Sequence, residues 1–197
     1  MKLFLATSNL HKVKEMKEIL ADMEVEILSP ADFNELPIVK EDAEDFKENA
    51  LKKAKVMSEY VDLPSIADDS GLVVEALDGR PGVYSARFAG EDATDKENNN
   101  KLLKLMEGIE EKNRRAYFAC AMAFVTPVDY QEVVTGKCRG KIIDSPRGEQ
   151  GFGYDPLFAP WGYERTFAEL GEEIKNKISH RAEALRKMKK VLREYKT

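Results

Sequence analysis

Cysteine, histidine and tryptophan are scarce, with two, two and one among 197 residues. Cys120 and Cys138 form no CxxC pair, and His11 and His180 stand far apart in the chain, which argues against a structural zinc site. In a reducing compartment both thiols are expected to be free and buried. No apolar run approaches the roughly 18 residues that a membrane span needs. The opening Met1–Ala6 is too short and too soon interrupted to read as a signal peptide, so a cytosolic location is the expectation. The formal net charge is −5 and no basic block is large enough to grip a duplex, so neither a nucleic acid nor a membrane is an expected partner. The phosphate-loop pattern GxxxxGK followed by Ser or Thr is missing, as are internal repeats and low-complexity segments.

What remains is a chain that is 43% apolar and 34% charged, long enough to bury a proper core as one large domain or two small lobes of a single domain spanning 1–197. Leu3–Ala6 reads as a buried strand that breaks at Thr7, Ser8 and Asn9, all good helix-capping types. Val13, Met16, Ile19 and Leu20 then recur at helical spacing. Val25–Leu28 is a second strand, followed by a loop with Pro30 and Pro37. Phe46, Ala50, Leu51, Ala54 and Met57 form one helical face between about Asp42 and Tyr60, and another amphipathic helix covers Lys96–Glu107. Arg115–Thr126 and Glu132–Ile143 read as a long antiparallel hairpin about a turn at Pro127–Tyr130. A last helix runs from near Ser179 to about Tyr195. Strands and helices alternate early and the hairpin comes late, which predicts an α/β fold with a mixed sheet.

Asp68 and Asp69 lie between Leu63–Ile66 and Leu72–Val74, a pattern that predicts a turn between two strands. Adjacent carboxylates raise each other's pKa unless a cation intervenes, and a divalent metal suits an all-oxygen site. Solvated turn residues would look the same in isolation. The first helix start carries His11, Lys12 and Lys14, and the last carries His180 and Arg181, with Lys175 one turn upstream. Cations at a helix N-terminus oppose its dipole, and an anionic ligand would reverse that penalty. Glu41, Asp42, Glu44 and Asp45 crowd the start of the second helix; they complement its dipole, and one of them could join a metal at Asp68–Asp69. Gly151–Pro156 sets Phe152 and Tyr154 beside Asp155 on a glycine-rich loop, and an aromatic so held can stack on a planar base.

In order, Thr7–Lys12, Glu48–Ala50, Ala67–Leu72, Ser85–Arg87, Gly151–Pro156 and Ser179–Arg181 resemble the signature blocks of the inosine/xanthosine triphosphate pyrophosphatases across essentially the whole chain. The resemblance implies an elongated mixed sheet flanked by helices, two lobes with a central active-site cleft, and a homodimer. It implies Mg²⁺-dependent hydrolysis of ITP, dITP or XTP to the monophosphate and pyrophosphate. Thr7, Ser8, Asn9, Leu10, His11 and Lys12 would hold the phosphate chain. Asp69 would be the general base, with Asp68 as the alternative, and Ser70 would touch the substrate. Phe152, Gly153, Tyr154 and Asp155 would frame the base, and Lys175, His180 and Arg181 would complete recognition, with His180 or Arg181 donating to a 6-oxo group. Glu41 falls where such enzymes carry an acidic metal ligand beside Asp69. The segment departs from the family pattern at Ala43 and Asp45, so Glu44 stands as the alternative ligand. Two rival readings are a metal-dependent pyrophosphatase for modified pyrimidine nucleotides and a nucleotide-binding sensor without turnover.

Overall fold

A computed structural model describes residues 1–195. Six strands, β1 (Lys2–Leu5), β2 (Glu26–Leu28), β3 (Ser65–Val74), β4 (Arg115–Val125), β5 (Gln131–Ile142) and β6 (Phe158–Pro160), form one sheet in the order β2-β1-β3-β4-β5-β6. β1 runs parallel to both its neighbours, with Leu3 opposite Ile27 and Leu5 opposite Ile66, while β5 and β6 are antiparallel. The helices are α1 (Leu10–Ile19), α2 (Phe46–Val61), α3 (Asp95–Leu105), α4 (Phe167–Ile178) and α5 (His180–Tyr195). The mixed α/β sheet and the β4–β5 pair match the sequence expectation. β6 and α4 have no counterpart in that reading.

The chain forms two compact units: residues 1–69, 120–136 and 181 onward, and residues 70–119 and 137–180. In the first unit the period of two along the strands sorts side chains onto two cores. Leu3, Leu5 and Ile66 pack with Val13 and Met16 of α1 and with Leu185 and Met188 of α5. Phe4, Ala6 and Ala67 pack instead with Ala50, Ala54 and Met57 of α2. The small residues of α2 let its backbone come close to the sheet, and this carries its polar residues inward too. In the second unit Leu72, Val74, Leu102, Phe118, Phe158 and Phe167 share one core.

Two local expectations are corrected. Helix α2 starts at Phe46 rather than near Asp42, because the Asp45 side chain accepts from Glu48 N at 2.8 Å and so caps it. Asp68 and Asp69 lie within the unbroken ten-residue strand β3, not at a turn between strands. Two mid-strand carboxylates are tolerated there because the helices covering the strand bring cations and amide donors to them, as the site geometry shows.

Candidate active site

Alternation along β3 sends Asp68 and Asp69 to opposite faces of the sheet. Asp68, fully buried, follows Ile66 onto the side covered by α1 and α5. There Lys12 Nζ lies 3.0 Å from its Oδ2 and Arg181 Nε 3.3 Å from the same atom. Arg181, itself buried, also pairs through Nη1 with Glu15 of α1. Burial alone would push the Asp68 carboxyl up, but the charges of Lys12, Arg181 and Lys53 outweigh it and hold the group well below the usual carboxylate range. Cys120 lies on this side as well; burial, then the charge of Asp68, push its thiol up to about 12.

Asp69 follows Ala67 onto the α2 side. Its Oδ2 accepts from Asn49 Nδ2 at 2.9 Å. Burial, then the negative charge of Glu41, push its carboxyl up to about 6, against the opposing pull of the Asn49 hydrogen bond and of Lys12 and Lys53. Lys53, one turn after Asn49 on α2, pairs with Glu41. Burial opposes the charged form of Lys53, yet the charges of Glu41, Asp68 and Asp69 together raise its pKa. Neighbouring residues on one strand therefore differ in chemistry. Asp68 is a locked anion, and Asp69 is a carboxylate more basic than usual at neutral pH.

At the start of α1 the Asn9 side chain accepts from Lys12 N at 3.1 Å, and Thr7 Oγ1 accepts from Asn9 N at 3.3 Å. The first turn holds no acidic residue. Ser8, Leu10 and His11 are exposed, while Thr7 is buried. This is a capped, cation-bearing helix start of the kind that accepts an anion.

The described residues hold no group of three or more His, Cys, Asp or Glu placed to bind a metal. Glu41 and Asp69 are nevertheless two carboxylates that feel each other's charge. Such a pair suits Mg²⁺, which is commonly held by one or two carboxylates together with substrate phosphates and waters. Glu44 is exposed and Asp45 is engaged as a helix cap, so the geometry favours Glu41 over Glu44.

The second unit carries the other predicted residues. Lys175, buried in α4, donates to Asp155 Oδ2 at 2.6 Å, and its Nζ lies 4.2 Å from the centre of the Phe152 ring. The same Asp155 oxygen accepts from Phe152 N at 2.9 Å. Gly151 adopts φ +82, and a Cβ there would overlap that oxygen, so glycine is required on two counts. Tyr154 OH donates to Ser85 O at 2.8 Å; Ser85 in turn accepts from Leu72 N on β3. The imidazole of His180 stacks on Phe118 at 4.8 Å with the planes 12° apart. Ser70 also falls in this unit.

The predicted residues thus fall into two groups. Thr7–Lys12, Glu41, Asp68, Asp69 and Arg181 lie in the first unit, and Ser70, Phe152–Asp155, Lys175 and His180 in the second. Sequence reasoning missed Glu15 and Lys53, and it gave Asn49 no role. Asn49 and Lys53 are four apart on α2, so they share a helix face with the alanines that pack on the sheet.

The chain matches the model of the Ham1 family over residues 3–191. It is 51% identical to the dITP/XTP pyrophosphatase of Desulfotalea psychrophila over 94% of this chain and 82% of that protein. It is 50% identical to the dITP/XTP pyrophosphatase of Thermoanaerobacter pseudethanolicus over 96% of this chain and 95% of that one. The structure of a HAM1 protein from Coxiella burnetii superposes with a TM-score of 0.89 at 39% identity, covering 98% of this chain and 99% of the other.

Proposed function

The chain belongs to the Ham1 family, and from that premise we propose that it hydrolyses the noncanonical purine nucleoside triphosphates dITP, XTP and ITP to the monophosphate and pyrophosphate. The observation that carries the mechanism is the split character of the β3 pair: Asp68 is neutralised by Lys12 and Arg181, while Asp69 is raised to about 6. A base is most effective when its pKa approaches the working pH. At neutral pH Asp69 is ionised yet more basic than an ordinary carboxylate, so it takes the proton from the attacking water. Asp68 is too strongly held by cations to do so, and its role is to fix Lys12. As the water oxygen bonds to phosphorus, the α–β anhydride breaks and pyrophosphate leaves.

Lys12, Lys53 and the N-terminus of α1 bind the phosphate chain and offset its charge. Glu41 would hold Mg²⁺ next to Asp69; when bound the ion supplies charge neutralisation and Lewis acidity to the phosphates, and Asp69 stays free to act as the base. Phe152 stacks on the base, and Asp155 and Lys175 set the ring and its polar surroundings. Arg181 is committed to Asp68 and Glu15, so His180, in the same unit as Phe152, is the better candidate to donate to a 6-oxo oxygen. A donor aimed at a 6-oxo group is left unpaired against the 6-amino group of adenine, and such mismatches discriminate strongly. Our reading includes a homodimer and a cytosolic location, the setting of the nucleotide pool. No helix among the described residues is long and apolar enough to cross a membrane.

The test is a panel of dITP, XTP, ITP, ATP and GTP with pyrophosphate detection, with and without Mg²⁺. Magnesium-dependent release from the first three, far above that from ATP and GTP, is expected. Equal rates with GTP would refute the specificity, a preference for modified pyrimidine nucleotides would favour the rival enzyme, and binding without turnover would favour a sensor.

A further inference from the structure

Phe152 is flanked by two glycines with positive φ, Gly151 at +82 and Gly153 at +62. Such a segment has more conformations to lose than any other, and an aromatic ring mounted on it has no fixed direction of its own. The ring is nevertheless held, because the peptide groups around it are tied by side chains, one within the loop and two on α3. Its own N–H donates to Asp155 Oδ2 at 2.9 Å. The next N–H, that of Gly153, donates to Asp95 Oδ2 at 2.6 Å. The Gly153 carbonyl accepts from Asn99 Nδ2 at 2.9 Å. Asp95 and Asn99 lie one turn apart on α3, so one helix face grips residue 153 on both its donor and its acceptor. Thr94, with Glu97, already caps this helix through a reciprocal capping box, so Asp95 is not needed for that task.

We propose that Asp95 and Asn99 are positioning residues that set the orientation of Phe152 through the Gly153 backbone, and that α3 thereby tunes affinity for the purine base. The inference rests on the reading of Phe152 as the stacking residue. A hydrogen bond from a backbone amide to a carboxylate is charge-assisted and stronger than a neutral one, so Asp95 holds the peptide that follows Phe152 as firmly as Asp155 holds the one before it. Without the α3 ties the loop regains freedom that nucleotide binding must then remove again. Ordering one such side chain is worth about a five- to tenfold change in binding.

The experiment compares Asp95→Ala, Asn99→Ala and Asp95→Asn with the parent, using dITP or XTP as substrate and inorganic tripolyphosphate, which has no base, as a competitive probe. Both alanine variants are expected to raise KM for the nucleotide by about five- to tenfold. The change in kcat is expected to be smaller, and the inhibition constant of tripolyphosphate should stay at the parental value. Asp95→Asn keeps an acceptor for Gly153 N and is expected to recover most of the affinity. If KM is unmoved, or if tripolyphosphate weakens in step with the nucleotide, the positioning role is wrong and α3 is merely structural. Should Asp95→Ala fail to fold, Asn99→Ala carries the same prediction. A parent enzyme that turns over neither dITP nor XTP would instead overturn the proposed function, which keeps the two failures apart.

Discussion

Replacing Asp69 by Asn should sharply reduce turnover and, in the metal-free protein, make the fold more stable at neutral pH. The Asp69 carboxyl is pushed to about 6 in the fold, from 3.8 for a free aspartate. A folded-state pKa above the unfolded value means that the native chain binds the extra proton between those two limits. Stability therefore falls as pH rises through roughly 4 to 6, and the full penalty applies above that window. Linkage makes the penalty roughly 1 kcal/mol at pH 4.5 and roughly 3 kcal/mol at pH 7.5. Asparagine keeps an acceptor for Asn49 and cannot ionise, so it escapes the penalty. The variant's gain over the parent should thus grow by roughly 2 kcal/mol between the two pH values. For a chain of this size that is about 4–8 °C in melting temperature. Thermal denaturation of both proteins in EDTA at the two pH values measures it, and comparing differences cancels any fixed cost of the substitution. With Mg²⁺ and substrate, the same variant should lose at least about 100-fold in kcat. A melting difference that does not change with pH would show that Asp69 is not a destabilised carboxylate, and the argument for it as the poised base would fall with it.

Lys12→Met removes one of the two cations on the fully buried Asp68, and breaking such a pair should lower stability by about 3 kcal/mol at neutral pH. Because the Asp68 pKa is depressed in the fold, this loss is complete above the ordinary aspartate range and shrinks on acidification, which urea unfolding at several pH values will show; an undiminished stability at pH 7.5 would contradict the assigned pairing. Cys120, buried and with its thiol pushed up to about 12, should resist alkylation in the native protein at pH 8 and react only on unfolding, as intact-mass measurement of iodoacetamide-treated samples will reveal. Rapid native labelling at Cys120 would contradict that burial.

Elements with a strong period were legible in the sequence. Val13, Met16 and Leu20 gave α1 and Ala50, Ala54 and Met57 gave α2, because in each case a run of side chains had to face one core, and the apolar, β-friendly run Arg115–Thr126 with its returning partner gave β4 and β5. Helix α4 was missed because Gly171, at φ +78, interrupts its pattern in the middle; its capping box at Thr166 and Glu169 was the readable signal. β6 is only three residues long and is fixed by its pairing with β5 rather than by anything local.

The site was legible as a set of residue types and illegible as a circuit. The residues Asp68-Asp69-Ser70-Gly71 look like a turn because their local preferences are those of a turn. What overrides that preference is distant in sequence: Lys12 and Arg181 reach Asp68 from α1 and α5, and Asn49 reaches Asp69 from α2. Once the segment is a strand, its period of two does the chemical sorting. One carboxylate faces cations and becomes a fixed anion, while its neighbour faces an amide and another carboxylate and becomes the more basic of the two. Had the pair remained at a solvated turn, water would have screened both groups and left their pKa values nearly equal. The difference between Asp68 and Asp69, on which the proposed mechanism depends, is therefore a product of strand geometry and burial together, and neither residue's identity could have supplied it.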